Sequence, residues 1–182
     1  MIFVVYAELS KPLYHGSNEA VSEIDLSRGV PKKDFGQGFY MTSDERQAEK
    51  FARLKAKREY ARKGYVSIFH FQNAEGLSIK KFAAAGAEWF DFVLRNRGFT
   101  ALSSPAPNEA FDIVIGPVAN DAVGLVLNQF ITGTYGDPMK AEAKETAIRL
   151  LLTQNLNDQI FFGTKKAVAC LIFVEACDVR ID

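Results

Sequence analysis

The spacing of apolar residues along the chain predicts several helices. Apolar side chains recur at three- and four-residue intervals after Thr42-Ser43-Asp44-Glu45, a sequence with capping-box spacing, and they predict a helix over 43–63 that stops at Gly64. Further helices are predicted over 82–96 with Gly98 at the C-terminal end, over 121–130, from Pro138 to about 153, and after the cap residue Thr164.

Runs of β-branched and aromatic residues predict the strands between these helices. The predicted strands cover 13–15 up to a break at Gly16, 39–41, 65–71, 111–115 up to Gly116-Pro117, 159–162 and 171–176. The apolar N-terminal decapeptide is read as an extended segment, an added strand ahead of the domain. Because strands and helices alternate irregularly, the pattern predicts an α+β fold in one domain over 1–182, with 1–11 as an N-terminal extension.

Composition narrows the class of protein without identifying it. The chain has 182 residues, 48% hydrophobic and 24% charged, and its formal net charge is zero. Zero net charge gives no long-range attraction to nucleic acids or membranes, and no apolar run is long enough to span a bilayer. Two cysteines, Cys170 and Cys177, do not form a disulfide framework, so a reducing, cytoplasmic setting is expected.

Common catalytic and metal-binding motifs are missing from the sequence. The two histidines, His15 and His70, lie far apart with no cysteine between them, so no metal site is predicted. Gly36-Gln37-Gly38 lacks the third glycine and the preceding strand of a dinucleotide-binding fingerprint. His70 lies in an alternating strand and is expected to be structural.

The predicted helix over 43–63 is rich in cations. Its basic residues are Arg46, Lys50, Arg53, Lys55, Lys57, Arg58, Arg62 and Lys63. Interleaved Glu45, Glu49 and Glu59 favour an ordinary solvated surface, and contact with phosphates is the alternative.

Two short sequences carry the chemistry that the chain most strongly suggests. In Tyr-His-Gly-Ser, His15 offers a donor or acceptor beside the exposed main chain of Gly16, which can hold a carboxamide through its N–H and C=O. In Asp-Phe-Gly-Gln-Gly-Phe-Tyr, Gly36 and Gly38 allow a turn that leads to Tyr40, an aromatic able to stack on a ring. Nicotinamide is a ligand of this kind.

These motifs resemble the ADP-ribosyltransferase superfamily, specifically its poly-ADP-ribose-polymerase-like branch with a His-Tyr-(Glu, Asp or Gln) signature. The chain over about 13–175 also resembles a bacterial family of unknown function assigned to that superfamily, through "DIVIGPVAND" and "DQIFFGTKKAV". The resemblance implies a split, mostly antiparallel sheet with flanking helices and an NAD cleft between its halves.

The resemblance also implies roles for individual residues. His15 is expected to bond the adenine-side ribose of NAD, Gly16 the carboxamide, and Tyr40 to stack on nicotinamide. Ser17 and Gly38 would line the NAD site and the loop 29–38 would border it as a lid. Phe51 falls where the family has a second aromatic wall, and a core contact of its own helix is the alternative.

The third member of the triad is matched by Gln159, where active polymerases of the family carry glutamate. Glutamine can bond a ribose hydroxyl but brings no charge, and strand alternation points the neighbouring Asp158 to the opposite face. The expected activity is therefore mono-ADP-ribosyl transfer from NAD to a macromolecule. The alternatives are an NAD-binding module without transferase activity and an NAD glycohydrolase.

Partners follow only from the resemblance. In bacterial relatives such a domain would be a toxin or effector, paired with an antitoxin protein. The acceptor, protein or nucleic acid, is not specified by the sequence, because loop shape determines it.

Overall fold

The computed structural model describes residues 9–104, 110–117, 121–152 and 158–181. Its strands are β1 (Leu13–Ser17), β2 (Phe39–Met41), β3 (Lys63–Phe71), β4 (Ile79–Lys81), β5 (Ile113–Pro117), β6 (Asp158–Phe162) and β7 (Leu171–Arg180). Its helices are α1 (Glu45–Arg58), α2 (Ala87–Asn96), α3 (Asp121–Ile131), α4 (Ala141–Leu152) and α5 (Lys165–Val168). The predicted α+β class is confirmed. Most of the predicted N-terminal strand, residues 1–8, lies outside the described residues.

The described strands form two sheets. The three-stranded sheet has the order β1-β3-β7 and is antiparallel throughout. The four-stranded sheet has the order β2-β6-β5-β4 and is mixed, because β4 pairs with β5 in parallel. An isolated bridge between Tyr14 and Thr42 joins β1 to β2, with main-chain hydrogen bonds of 2.8 and 3.0 Å.

Hydrophobic side chains from both sheets form the core. One cluster lies between the two sheets and includes Leu13 and Phe69 of one and Ile115 and Phe162 of the other. A larger cluster packs the other face of the four-stranded sheet against α2, α3 and α4. A small third cluster packs α1 on the three-stranded sheet through Ala48, Ala52, Val66 and Val179. Helix α1 therefore lies directly behind β1.

Helix α1 is shorter than the sequence predicts. The N-cap of the helix is Asp44, whose carboxylate accepts hydrogen bonds from the N–H groups of Arg46 and Gln47 at 3.0 and 3.3 Å. The predicted capping box does not begin the helix. The helix ends at Arg58, and Tyr60 then takes a left-handed conformation with φ of 54°. Gly64 does not end the helix but lies in β3, which begins at Lys63.

Other predicted boundaries shift for similar, non-local reasons. Strand β1 continues through Gly16 to Ser17, because the whole segment pairs with β3. Helix α2 begins at Ala87 and not at Phe82, whose N–H instead bonds the carbonyl of Ile115 beside β4. Strand β4 itself was not predicted.

The C-terminal elements follow the sequence more closely. Helix α4 begins at Ala141, three residues after Pro138, and its last described residue is Leu152. The hydroxyl of Thr164 caps α5 as predicted, accepting from the N–H of Ala167 at 3.2 Å. Strand β7 runs to Arg180, four residues beyond the predicted end. The assignment of 1–182 to one domain stays a prediction.

Candidate functional site

The two sheets separate immediately after the bridge between Tyr14 and Thr42. Along a strand, the N–H and C=O groups of every second residue point to the same side. The main-chain groups of Gly16 therefore point from β1 toward β2, as those of Tyr14 do, and the main-chain groups of Tyr40 point from β2 toward β1, as those of Thr42 do. The pairing does not continue to Gly16 and Tyr40. We call this opening between β1 and β2 the fork. The main-chain N–H and C=O of Gly16 face a space that no strand of the described residues fills.

His15 fastens one side of the fork. Its Nδ1 lies 2.7 Å from the Tyr40 carbonyl oxygen, and its ring stacks on Phe39 with centroids 4.2 Å apart. A carbonyl oxygen only accepts, so Nδ1 carries the proton and Nε2 presents a lone pair. Burial lowers the pKa of His15 from 6.5 to about 4, with nearby Lys55 also lowering it and the bond to Tyr40 opposing the shift. The neutral imidazole can therefore accept a hydrogen bond from a hydroxyl group.

The lowered pKa of His15 predicts a pH-dependent stability. Between pH 6.5 and 4 the unfolded chain binds more protons at this residue than the folded chain, so stability falls as pH falls through that window. We expect a loss of about 2 kcal/mol between pH 7 and pH 5. His15→Asn keeps a donor for the Tyr40 carbonyl but does not titrate. Urea unfolding of both proteins at the two pH values should show the extra loss in the wild type alone, and equal losses would contradict it.

Gly16 is required for a different reason from the one the sequence suggested. A Cβ at this position would press on the Ala48 carbonyl oxygen of α1 and come within 2.9 Å of the Ala52 nitrogen. The close approach of α1 therefore demands glycine, while the main-chain groups of Gly16 still face the fork. Gly38 also leaves no room for a side chain, because a Cβ added there would lie 2.6 Å from the Phe162 carbonyl oxygen of β6.

Ser17 ends β1 next to helix α1, which carries Phe51. The Ser17 hydroxyl is buried and accepts a hydrogen bond from Lys55 Nζ at 3.1 Å. Phe51 lies one helical turn before Lys55 and its side chain is 56% exposed. The alternative of a core contact for Phe51 is therefore wrong, and an aromatic face is available to a ligand.

Tyr40 is held by the loop 29–38. Its hydroxyl donates to the Gly36 carbonyl at 2.7 Å and accepts from the Phe35 N–H at 3.1 Å, a turn that the positive φ of Gly36 permits. Burial raises the pKa of Tyr40, so its phenol stays protonated. The Tyr40 ring packs on Phe35 and Phe161, whereas the His15 ring packs on Phe39. The structure thus joins His15 to the main chain of Tyr40, and stacking of Tyr40 on a ligand stays a prediction.

The loop 29–38 is fastened at two further points. Arg97, just after α2, forms an ion pair of 2.6 Å with the buried Asp34. Gln37 Nε2 donates to the Ser27 carbonyl at 3.2 Å. A lid movement of this loop would have to release these contacts together with the hydroxyl of Tyr40.

Gln159 carries an unusual buried group. It is 8% exposed, and its Nε2 has no hydrogen-bond partner among the residues that the structure describes. Buried amide donors without a partner are costly, by about 1–3 kcal/mol, and are therefore rare. Strand alternation places Gln159 on the same face of the sheet as Phe161, which is paired with Tyr40. Asp158 is exposed, in keeping with the predicted opposite orientation of the two side chains.

The three residues of the predicted triad are divided between the two sheets. His15 lies on β1 of the three-stranded sheet, whereas Tyr40 and Gln159 lie on the neighbouring strands β2 and β6 of the four-stranded sheet. The His15 ring packs on Phe39 of the cluster between the sheets, and the Tyr40 and Gln159 side chains share the opposite face of the four-stranded sheet with Phe161. The sequence reasoning did not identify Lys55, which contacts Ser17 and acts on His15, as part of the site. It also overlooked Thr42, whose hydroxyl bonds Gln47 at 3.0 Å. Nothing local in the sequence distinguishes Lys55 from the other cations of α1.

Other features of the described residues lie apart from the fork. A cavity of about 420 Å³ opens between Leu26 and Val168 and shares no lining residue with the fork. In the described part of the chain, no cluster of His, Cys, Asp and Glu side chains is arranged to hold a metal ion. None of the described helices has the length and apolar character needed to cross a bilayer.

Comparison with known proteins gives a family for the chain. A family model described as "Protein of unknown function (DUF3990)" matches residues 12–173. The match covers most of the chain, including all the candidate site residues, and the chain therefore belongs to this family. No curated protein and no solved structure matches it.

Proposed function

We propose that this DUF3990 chain has an ADP-ribosyltransferase-like fold and transfers a single ADP-ribose unit from NAD to a macromolecular acceptor, with release of nicotinamide. The observation that carries the proposal is the buried Gln159 amide, whose Nε2 has no hydrogen-bond partner among the described residues. On the neighbouring strand, the Tyr40 carbonyl is bonded by the neutral His15, whose Nε2 presents a lone pair. A buried donor that the described residues leave unsatisfied is explained if a ligand hydroxyl or carbonyl satisfies it.

The groups around the fork match the parts of NAD. His15 Nε2 is suited to accept from a hydroxyl of the adenine-side ribose. The main-chain N–H and C=O of Gly16, directed into the fork, are suited to hold the carboxamide of nicotinamide as a pair. Tyr40 and the exposed ring of Phe51 would enclose the nicotinamide ring, and Gln159 Nε2 would donate to a hydroxyl of the nicotinamide ribose.

Ser17 and Gly38 complete the proposed site in different ways. The Ser17 hydroxyl, fixed by Lys55, borders the Gly16 position and would orient the carboxamide end. Gly38 lets the loop 29–38 pass close to β6 and so sets the position of Tyr40.

The transfer breaks the bond between ribose C1′ and the nicotinamide nitrogen, and both bonding electrons leave with nicotinamide. Positive charge then develops on the ribose, and an acceptor nucleophile attacks C1′ and loses its proton. An amide stabilises this charge less than a carboxylate, by about 3 kcal/mol or a hundredfold in rate. Gln159 is consistent with slow transfer of one unit and not with chain elongation.

The same residue supports a second candidate, an NAD-binding module without transferase activity. Glutamine can bond the ribose without stabilising its charge, so binding would survive where turnover does not. The third candidate is an NAD glycohydrolase, which uses water as the acceptor, and the labelling experiment below distinguishes it from the other two. A toxin role and an antitoxin partner remain predictions of the family resemblance.

Incubation with NAD labelled in its adenine moiety tests the proposal. The purified protein is mixed with a cell extract as the source of acceptors, and the label is then followed. We expect label on protein or nucleic acid together with free nicotinamide. Free ADP-ribose alone would favour hydrolysis, binding without consumption would favour the module, and neither binding nor consumption would overturn the proposal.

A further inference from the structure

The segment that follows α1 holds an aromatic side chain in an unexpected place. Tyr60 is 95% exposed, and its φ of 54° lies in the left-handed region that favours glycine at this position after a helix. The N–H of Ala61 bonds the Ala56 carbonyl at 2.9 Å and fixes this turn. A bulky residue is strained here and buries almost nothing in return, so the fold gains nothing from it. The side chain of Tyr60 is therefore better explained by a contact outside this chain.

Cations surround this tyrosine. Residues 55–63 contain five lysines and arginines and one acid, Glu59, in a chain whose formal net charge is zero. Within the described residues, Lys55 is bonded to Ser17 and Lys63 to Asp178. The remaining cations, Lys57, Arg58 and Arg62, are exposed and form no ion pair with a described residue.

Helix stabilisation explains only part of this charge. Lys57 and Arg58 lie in the last turn of α1, where cations interact favourably with the helix dipole. Arg62 lies beyond the helix and Tyr60 carries no charge, so the dipole accounts for neither. Exposed aromatic rings interleaved with unpaired cations are typical of surfaces that bind single-stranded nucleic acid, where bases stack and phosphates are neutralised.

We propose that the C-terminal end of α1 and the turn after it bind single-stranded nucleic acid. Tyr60 stacks on a base, and Lys57, Arg58 and Arg62 contact the phosphates on either side. Glu59 lies within the same surface and lowers the net positive charge of that surface by one. This binding needs no NAD chemistry and is tested separately from it.

The test is fluorescence anisotropy with labelled single-stranded DNA and RNA of roughly 16 nucleotides. We expect the wild type to bind, with an affinity that falls as salt rises from about 50 to 200 mM. Tyr60→Gly should weaken binding on the order of tenfold by removing one stacking contact, whereas Tyr60→Phe should bind like the wild type. Because glycine suits the left-handed turn, Tyr60→Gly should unfold at the same temperature as the wild type or higher.

A matched pair of double variants tests the phosphate contacts. Lys57→Gln/Arg62→Gln should weaken binding and reduce the slope of log affinity against log salt by about 1.4, the value for two phosphate contacts to a single strand. Lys140→Gln/Arg149→Gln removes the same charge from exposed positions elsewhere and should leave the slope unchanged.

Three results would overturn the proposal. One is the absence of oligonucleotide binding at low salt. Another is binding that both double variants weaken equally, since this indicates a general charge effect. The third is preferential binding of polyglutamate over the oligonucleotides, which would assign the surface to an acidic protein.

Discussion

Replacing Gly16 by alanine is expected to lower the free energy of unfolding by about 3 kcal/mol. The added methyl group would meet the Ala48 carbonyl and lie within 2.9 Å of the Ala52 nitrogen, and both are main-chain atoms of α1. A helix backbone cannot rotate away as a side chain can, so α1 has to move off β1. Urea unfolding followed by circular dichroism measures the loss.

Gly124→Ala is the matched control for this substitution. Gly124 lies inside α3, and a Cβ there has no neighbour within 4 Å. Alanine should therefore raise the free energy of unfolding by about 0.5–1 kcal/mol through its better helix propensity. Similar effects of the two substitutions would mean that α1 does not pack on β1 as closely as described. The same shift of α1 would carry Phe51 and Lys55 away from the fork, so Gly16→Ala should also weaken NAD binding.

The second large effect is expected from Gln159→Glu. If a missing charge limits the transfer step, a carboxylate at this position should raise the rate of nicotinamide release about a hundredfold. The shape of the side chain is kept, and only its charge and hydrogen-bonding character change. Release of nicotinamide from NAD, measured at saturating NAD, gives the rate.

Gln159→Met separates the role of this residue in binding from its role in folding. Methionine has a similar length but no buried donor, so the free energy of unfolding should rise by about 1 kcal/mol while NAD binding weakens. A drop in stability would instead show that the amide has a structural partner. An unchanged rate in Gln159→Glu, together with intact NAD binding, would favour the binding module over the transferase.

The sequence predicted most helices and strands because their patterns are local. Helix α3 and strand β6, for example, begin within a residue of their predicted positions. Strand β4 was missed because it has three residues and exists through its parallel pairing with β5, which no local pattern encodes. The early end of α1 was also missed, because the left-handed conformation of Tyr60 that follows the helix has no signature in the sequence.

The candidate site itself stays a prediction. The order of the motifs pointed to His15, Tyr40 and Gln159, and the structure joins His15 to the Tyr40 carbonyl and places Tyr40 and Gln159 on neighbouring strands of one sheet. The reason for Gly16 was not predictable, because it depends on how closely α1 approaches β1. The contact between Lys55 and Ser17 is equally non-local, since 38 residues separate them. The bond from His15 to the Tyr40 carbonyl likewise required the bridge that brings β1 and β2 together.

The most direct test of the central claim is a calorimetric titration of NAD into the wild type and His15→Asn at pH 7. Asparagine keeps the donor to the Tyr40 carbonyl but lacks the acceptor that Nε2 presents. We predict that the wild type binds NAD and that His15→Asn binds it about tenfold more weakly with little change in unfolding temperature. No binding by the wild type, or equal binding by the two proteins, would contradict an NAD site at the fork.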